Sequence, residues 1–189
     1  MEPLLSVDPL GTSFGGFVAL EGVDLEVRAG ERVGLIGPNG SGKSTLVNCL
    51  SGTLHNETGT VHFAGRNIGG MPAHARTRLG LARSFQLPKP FGSLSVAENL
   101  RIPLLYTVNA RGGEALDEAA IGERCGELLN LVGLDGKARQ RPQDLTQIEM
   151  RKLELARAMA AAPKLLIADE AMAGLSHSEV DDILALLTQ

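Results

Sequence analysis

The residues Gly37-Pro38-Asn39-Gly40-Ser41-Gly42-Lys43-Ser44-Thr45 carry the plainest chemistry in the chain. They fit the phosphate-binding pattern G-x-x-x-x-G-K-[ST]. Glycines let the backbone curl until successive N–H groups point inward as an anion nest. A helix starting at the lysine brings its positive dipole end to the same spot. In this pattern Lys43 reaches the β- and γ-phosphates of a nucleotide, and the Ser44 hydroxyl ligates Mg²⁺.

Phosphate chemistry also needs an acid for the metal and a group that handles the attacking water. Leu165-Leu166-Ile167-Ala168-Asp169-Glu170 offers both. Ligands of open α/β sheets bind at the carboxyl ends of strands. Asp169 there would hold Mg²⁺ through water, and Glu170 would act as general base towards the γ-phosphate. Gln86 ends a strand read over 81–85, just before Leu87-Pro88-Lys89-Pro90. A glutamine in that position can hydrogen-bond the metal or the attacking water.

These residues need elements to hold them. Arg32-Val33-Gly34-Leu35-Ile36 reads as the strand that feeds the phosphate loop, and Thr45-Leu46-Val47-Asn48-Cys49-Leu50 as the helix that leaves it. The apolar run 164–168 is of the type buried in a parallel sheet, beside the strand at 32–36. Upstream, 4–7 reads as a short strand closed by Pro9 and Gly11. Residues 18–20 and 23–27 read as two further strands around Glu21-Gly22, the second alternating apolar and charged residues. Val61-His62-Phe63 is another strand. The expected fold class is α/β, a P-loop NTPase with a central, mostly parallel sheet, an N-terminal antiparallel β layer and a helical subdomain.

The middle of the chain is helical in pattern. Residues 72–79 form a helix opened by proline. Ser95-Val96-Ala97-Glu98 is a capping box before a helix to about Pro103. Arg111-Gly112-Gly113 reads as a flexible joint. A helix over 116–132 ends at Gly133 as C-cap, and 146–161 is strongly helical. Ser176-His177-Ser178-Glu179 caps a last helix from Val180.

The bulk numbers narrow the class. At 189 residues, 43% hydrophobic and 21% charged, the composition is that of one globular domain with a substantial core. The net charge of −4 argues against nucleic acid as a partner, and 3% aromatic residues leave no stacking platform. Cys49 and Cys125 have no metal-ligand spacing and read as reduced, small apolar residues. No run of 18 apolar residues spans a bilayer.

In order, Phe14-Gly15, the loop 37–44, Leu81-Ala82-Arg83-Ser84-Phe85-Gln86, a helical insert, the run 145–159 and the run 165–170 resemble the nucleotide-binding subunit of ABC transporters. More narrowly, they resemble branched-chain amino acid importer ATPases of the LivG type. That narrower likeness rests on Phe14-Gly15-Gly16-Phe17-Val18-Ala19-Leu20, on Ala-Arg-Ser-Phe-Gln at 82–86, and on Arg151-Lys152-Leu153-Glu154-Leu155-Ala156-Arg157-Ala158-Met159. The resemblance implies one ATPase domain over 1–189. Residues 1–86 and 160–189 would form its catalytic core, and about 87–159 its Q-loop and helical subdomain. It implies ATP and Mg²⁺ as cofactors. Phe14 would stack on adenine, and Asn39, Gly40, Ser41, Gly42, Lys43, Ser44 and Thr45 would hold phosphates and metal. Gln86 would be the Q-loop glutamine, also reaching the metal, and Asp169 and Glu170 the Walker B pair. Ala173-Gly174-Leu175-Ser176 would form the D-loop. Implied partners are a second ABC ATPase subunit, the transmembrane permease subunits, which residues 87–105 would face, and indirectly a solute-binding protein. The implied location is the cytoplasmic face of a bacterial or archaeal plasma membrane, as a peripheral subunit. Import of urea or an amide is an alternative cargo, and nucleotide binding with little hydrolysis an alternative activity.

Three departures qualify the resemblance. The family's L-S-G-G-Q signature aligns with Leu145-Thr146-Gln147-Ile148-Glu149. In the family that stretch contacts the γ-phosphate held by the opposite subunit, so the resemblance implies a nucleotide-binding role for Thr146, which keeps a hydroxyl and can cap the next helix. Ile148 cannot cheaply adopt positive φ, so an ordinary N-cap geometry is expected there. Ala171-Met172 replaces the usual turn after Walker B. Only 19 residues follow Glu170, and His177 lies too near to serve as the family's switch histidine. The chain therefore reads as shortened at its C-terminus, with an unpaired sheet edge.

Overall fold

The structure, a computed structural model, describes residues 2–85, 87–112 and 115–169. The chain divides into two compact units, Met1–Arg76 and Thr77–Gln189.

In the first unit β1 (Leu5–Phe14), β2 (Phe17–Val27), β3 (Thr58–Phe63) and β4 (Arg66–Asn67) make an antiparallel sheet in the order β2-β1-β3-β4. The strand expected at 4–7 runs on to Phe14, ten residues in all, because Pro9 and Gly11 do not end it. Irregularities in the register between Val7 and Leu10 and again before Thr12 absorb the proline. Gly59 of β3, at φ 80°, makes room: a Cβ there would lie 2.3 Å from the Pro9 carbonyl oxygen. In the same way Gly22, at φ 60°, bends β2 without splitting it into two strands. Leu5, Val7, Leu10, Val61 and Phe63 form the buried face, each such side chain contributing about 2 kcal/mol of transfer free energy.

The helix α1 (Lys43–Ser51) follows the phosphate loop and ends at Gly52, whose N–H bonds back to Asn48 and Cys49. Arg76 is fully buried against that end. Its Nη1 donates to the carbonyls of Cys49 (2.6 Å) and Leu50 (2.8 Å), its Nε to Met71 (2.9 Å) and its Nη2 to Gly69 (3.1 Å). The last carbonyls of α1, which have no intrahelical donor, are thereby satisfied. Burial pushes the Cys49 thiol up, against the pull of the neighbouring guanidinium.

Residues 32–36 do not form the strand that their apolar run suggests. They join no ladder, and Val33, Leu35 and Ile36 are 50%, 48% and 95% exposed. A strand exists only where a neighbour takes up its backbone groups, and among the described residues none does so here.

The second unit pairs β5 (Leu81–Ser84) with β6 (Leu165–Ala168) in parallel. Among the described residues β6 pairs with β5 and with no strand at 32–36, and it is half-buried rather than enclosed. Between them lie α3 (Val96–Pro103), α4 (Glu118–Leu131) and α5 (Gln147–Ala160). Val96 and Leu100 of α3, Ile121, Cys125, Leu128 and Leu129 of α4, and Leu153 and Ala156 of α5 recur at helical spacing and share one core. The capping box at Ser95 is complete, with Glu98 reciprocating. Gly133 follows α4 at φ 68°. Arg111 is not a loose joint. Its guanidinium donates to the carbonyls of Thr77 (3.0 Å), Arg78 (2.8 Å) and Ala162 (2.6 Å). It fastens the end of α2 (Ala73–Leu79) to the turn after α5.

Candidate nucleotide site

The phosphate loop leaves β2's neighbourhood through a turn closed by the Ser41 N–H on the Pro38 carbonyl, 3.3 Å. Gly40 and Gly42 sit at φ 82° and 87°. Gly42 is the N-cap of α1, and no side chain caps that helix or places an acid in its first turn. A Cβ on Gly42 would lie 2.6 Å from the Ala19 carbonyl oxygen and 2.9 Å from Leu20 Cδ2. Glycine is thus required here both by conformation and by the close approach of β2. Lys43 folds over the loop, its Nζ donating to the carbonyls of Gly37 and Pro38, each at 2.7 Å. The ammonium therefore lies over the loop in which an anion would be cradled. Asn39, Gly40, Ser41 and Ser44 are exposed, and Thr45 is half-buried. Phe14 faces Phe17 across the tip of the β1–β2 hairpin, where Gly15 and Gly16 at positive φ make the two-residue turn. Both rings are exposed.

In the second unit Asp169 stands one residue past β6. Arg83 of β5 lies opposite Ile167 in register, so Asp169, two residues on, shares its face. The Arg83 Nη2 donates to Asp169 Oδ2 at 2.7 Å, with the two side chains 10% and 18% exposed. The same guanidinium lies over the Phe85 ring, 5.0 Å from its centroid. Gln86 and Glu170 fall outside the described residues, as do the D-loop at 173–176, Ala171-Met172, His177 and the last expected helix.

The loop after Gln86 is fastened from two helices. Asn99 of α3, fully buried, accepts from the Phe91 N–H (2.8 Å) and donates to the carbonyls of Phe91 (3.1 Å) and Ser95 (2.9 Å). Arg157 of α5 donates to the Lys89 carbonyl (3.1 Å) and to Glu154 (2.8 Å), and stacks 5.1 Å from the Phe91 centroid. What the loop presents outward is Leu87, 73% exposed, and an edge of Phe91.

Thr146 caps α5 in the ordinary extended geometry, φ −66°. Its Oγ1 accepts from the Glu149 N–H at 3.3 Å, and the Glu149 carboxylate accepts from the Thr146 N–H at 2.9 Å. Lys137 holds the other carboxylate oxygen at 2.7 Å. That lysine, and then the capping bonds of Thr146, keep the Glu149 carboxyl below the usual glutamate range.

The phosphate loop, Phe14, Thr146 and Asp169, which the sequence offers as site residues, lie among the described residues. The sequence does not point to Arg83, Asn99, Arg157 or Lys137, which bond Asp169, the Phe91 loop and Glu149. No pattern in the sequence pairs Arg83 with Asp169, because the β5–β6 register that brings them together is set only in the folded sheet.

A family model described as ABC transporter matches residues 20–173 of this sequence. The chain belongs to that family. The ATP-binding protein LivG of high-affinity branched-chain amino acid transport from Salmonella typhimurium (strain LT2) is 36% identical over 202 residues, which span 100% of this chain and 77% of the relative. A probable branched-chain amino acid transport ATP-binding protein LivG from Archaeoglobus fulgidus is also 36% identical, over 97% of this chain and 75% of its own length. The ADP conformation of MJ1267, an ATP-binding cassette of an ABC transporter, superposes with a TM-score of 0.85 at 29% identity, covering 100% of this chain and 76% of that one. The expected P-loop NTPase fold is therefore that of an ABC cassette, and the chain is an ABC-type ATP-binding subunit of the ATPase class, homologous to branched-chain amino acid transport subunits. Among the described residues no helix is long and apolar enough to cross a membrane.

Proposed function

We propose that this chain binds ATP with Mg²⁺ and hydrolyses it to drive an importer of branched-chain amino acids, as a peripheral subunit on the cytoplasmic face of the membrane. One observation carries the reading: a phosphate loop whose helix, α1, is left without any acid or side-chain cap while Lys43 waits over it. Residues 39–45 cradle the phosphates, Lys43 neutralises them, and Phe14 stacks on adenine. Mg²⁺ takes hard oxygen donors. The Ser44 hydroxyl and the Asp169 carboxylate are of that type, and Asp169 already accepts one cation, the guanidinium of Arg83. A metal held by such donors would neutralise charge on the transferring phosphoryl group. Gln86 orients the attacking water and Glu170 takes its proton. Residues 1–86 and 160–189 act as the catalytic core and 87–159 as the subdomain that meets the permease, through the Leu87 and Phe91 surface that Asn99 and Arg157 hold in place. A second ATPase subunit completes the sandwich, and a solute-binding protein supplies the cargo.

The test is co-expression with the permease and solute-binding subunits of a branched-chain amino acid importer, followed by leucine uptake and phosphate release. Uptake that disappears in Glu170→Gln while ATP stays bound supports the reading. Hydrolysis undiminished by that substitution removes Glu170 from its role. A second reading, nucleotide binding with little turnover, is favoured by the carboxylate of Glu149 lodged at the start of α5. It predicts saturable nucleotide binding with phosphate release at background rates.

A further inference from the structure

We propose that Arg83 is the counter-cation of Asp169, a positioning residue that covers the carboxylate between nucleotide cycles and gives it up to Mg²⁺. The inference rests on the reading of Asp169 as the carboxylate that serves the metal. Three observations on β5 and β6 carry it. Arg83 and Asp169 are brought to one face by the parallel register 83 to 167. The guanidinium is bonded to Asp169 Oδ2 at 2.7 Å with both side chains largely covered, so the pair is screened less than a surface bridge. The guanidinium also rests on the Phe85 ring at 5.0 Å, a cation–π shelf that stays available when the carboxylate oxygen is taken.

A carboxylate left bare beside covered strands would bind a divalent cation tightly and release it slowly. A fixed guanidinium next to it lowers that affinity, because the incoming metal must displace or face a positive charge. Because Phe85 holds the same guanidinium, displacement does not require Arg83 to leave the site. The ring, already in contact with the guanidinium, is the second resting place. The Arg83–Asp169 hydrogen bond gives way to the metal, no covalent bond is made or broken, and no proton moves.

The experiment is a titration of free Mg²⁺ against binding of a fluorescent ATP analogue, with parallel titrations in EDTA and thermal melts. Arg83→Gln is expected to lower the half-saturating Mg²⁺ about tenfold while affinity in EDTA changes less than twofold. Arg83→Lys, which keeps the charge, is expected to stay within about threefold of the wild type. Phe85→Leu, at an exposed ring, is expected to move the midpoint the other way, about two- to threefold higher, because the displaced guanidinium loses its shelf. It keeps the proposal testable if Arg83→Gln fails to fold. An unchanged or raised midpoint in Arg83→Gln, or an unchanged midpoint in Phe85→Leu, overturns the proposal. Asp169→Asn separates the two layers. If that variant alters the Mg²⁺ dependence and Arg83→Gln does not, the role of Arg83 fails alone. If Asp169→Asn leaves Mg²⁺ dependence intact, the metal reading of Asp169 fails and takes this proposal with it.

Discussion

The two helix starts that the sequence assigns to phosphate, those of α1 and α5, are built in opposite ways. At α1 the N-cap is Gly42 in the left-handed region, with no side-chain cap and no acid in the first turn. At α5 the N-cap is Thr146 in extended geometry, and Glu149 answers it in a full capping box with Lys137 behind. Every helix starts with amide groups that lack an intrahelical partner and with the positive end of its dipole. The α5 start has met that demand from within the chain, carboxylate included. The α1 start has left it open, and the basic side chain over it bonds oxygens of its own loop, the Gly37 and Pro38 carbonyls and the Ser41 hydroxyl. An external polyanion therefore has a receptor at α1. At α5 it meets a site already holding a negative charge.

Substitutions at the two ends should separate in size and in kind. The largest effect is expected from Lys43→Ala, which removes a charge-assisted contact to phosphate of about 3 kcal/mol, or roughly a hundredfold in nucleotide affinity. Titration with a fluorescent nucleotide reads it, and the melting temperature should hardly move. Gly42→Ala comes next. It forces a side chain into the left-handed region at a cost of about 1–3 kcal/mol and into the Ala19 carbonyl, so urea unfolding and nucleotide affinity should weaken together. At the other helix Thr146→Ala should cost about 1 kcal/mol of stability and leave nucleotide affinity unchanged. A loss of affinity there would erase the contrast. The smallest effect is Glu149→Gln, about 0.5 kcal/mol at neutral pH. Its pH dependence has a definite sign. The folded chain holds the Glu149 carboxyl below its ordinary value of about 4.3. The stabilisation is then complete above that value and is lost as pH falls through the lowered one. Wild type and Glu149→Gln should differ at pH 7 and converge in acid. A constant gap across that range would mean the ionised carboxylate is not what holds the cap.

Local chemistry was legible, and pairing was less so. The Ser95–Glu98 box and the Thr146 cap follow from side-chain bonds within four residues, and Gly133 after α4 from glycine's access to positive φ; all three stand where the sequence put them. The long strand β1 did not follow from its sequence, because Pro9 and Gly11 read as breakers until Gly59 of a distant strand yields space for them. Residues 32–36 read as a strand on apolar content alone, yet a strand requires a partner for its backbone. Arg111 looked like part of a glycine-rich joint because nothing nearby shows that the carbonyls of Thr77, Arg78 and Ala162 converge on it. At the site, the phosphate loop is a contiguous motif. The grip of Arg83 on Asp169 spans 86 residues and depends on a strand register that only the folded sheet sets.

Arg76 has a consequence for the order in which the chain acquires its shape. Four carbonyls from residues 49, 50, 69 and 71 wait on one guanidinium, and they belong to the helix that carries the phosphate loop and to the segment behind it. As the polypeptide emerges from the ribosome, α1 can coil early and Gly52 can close part of its end, but the guanidinium bonds to the Cys49 and Leu50 carbonyls wait until the seventy-sixth residue arrives. Maturation of the first unit is thus timed by its last residue. A nascent chain stalled just short of it should remain open to protease, and one stalled beyond the ribosomal tunnel's reach past it should not.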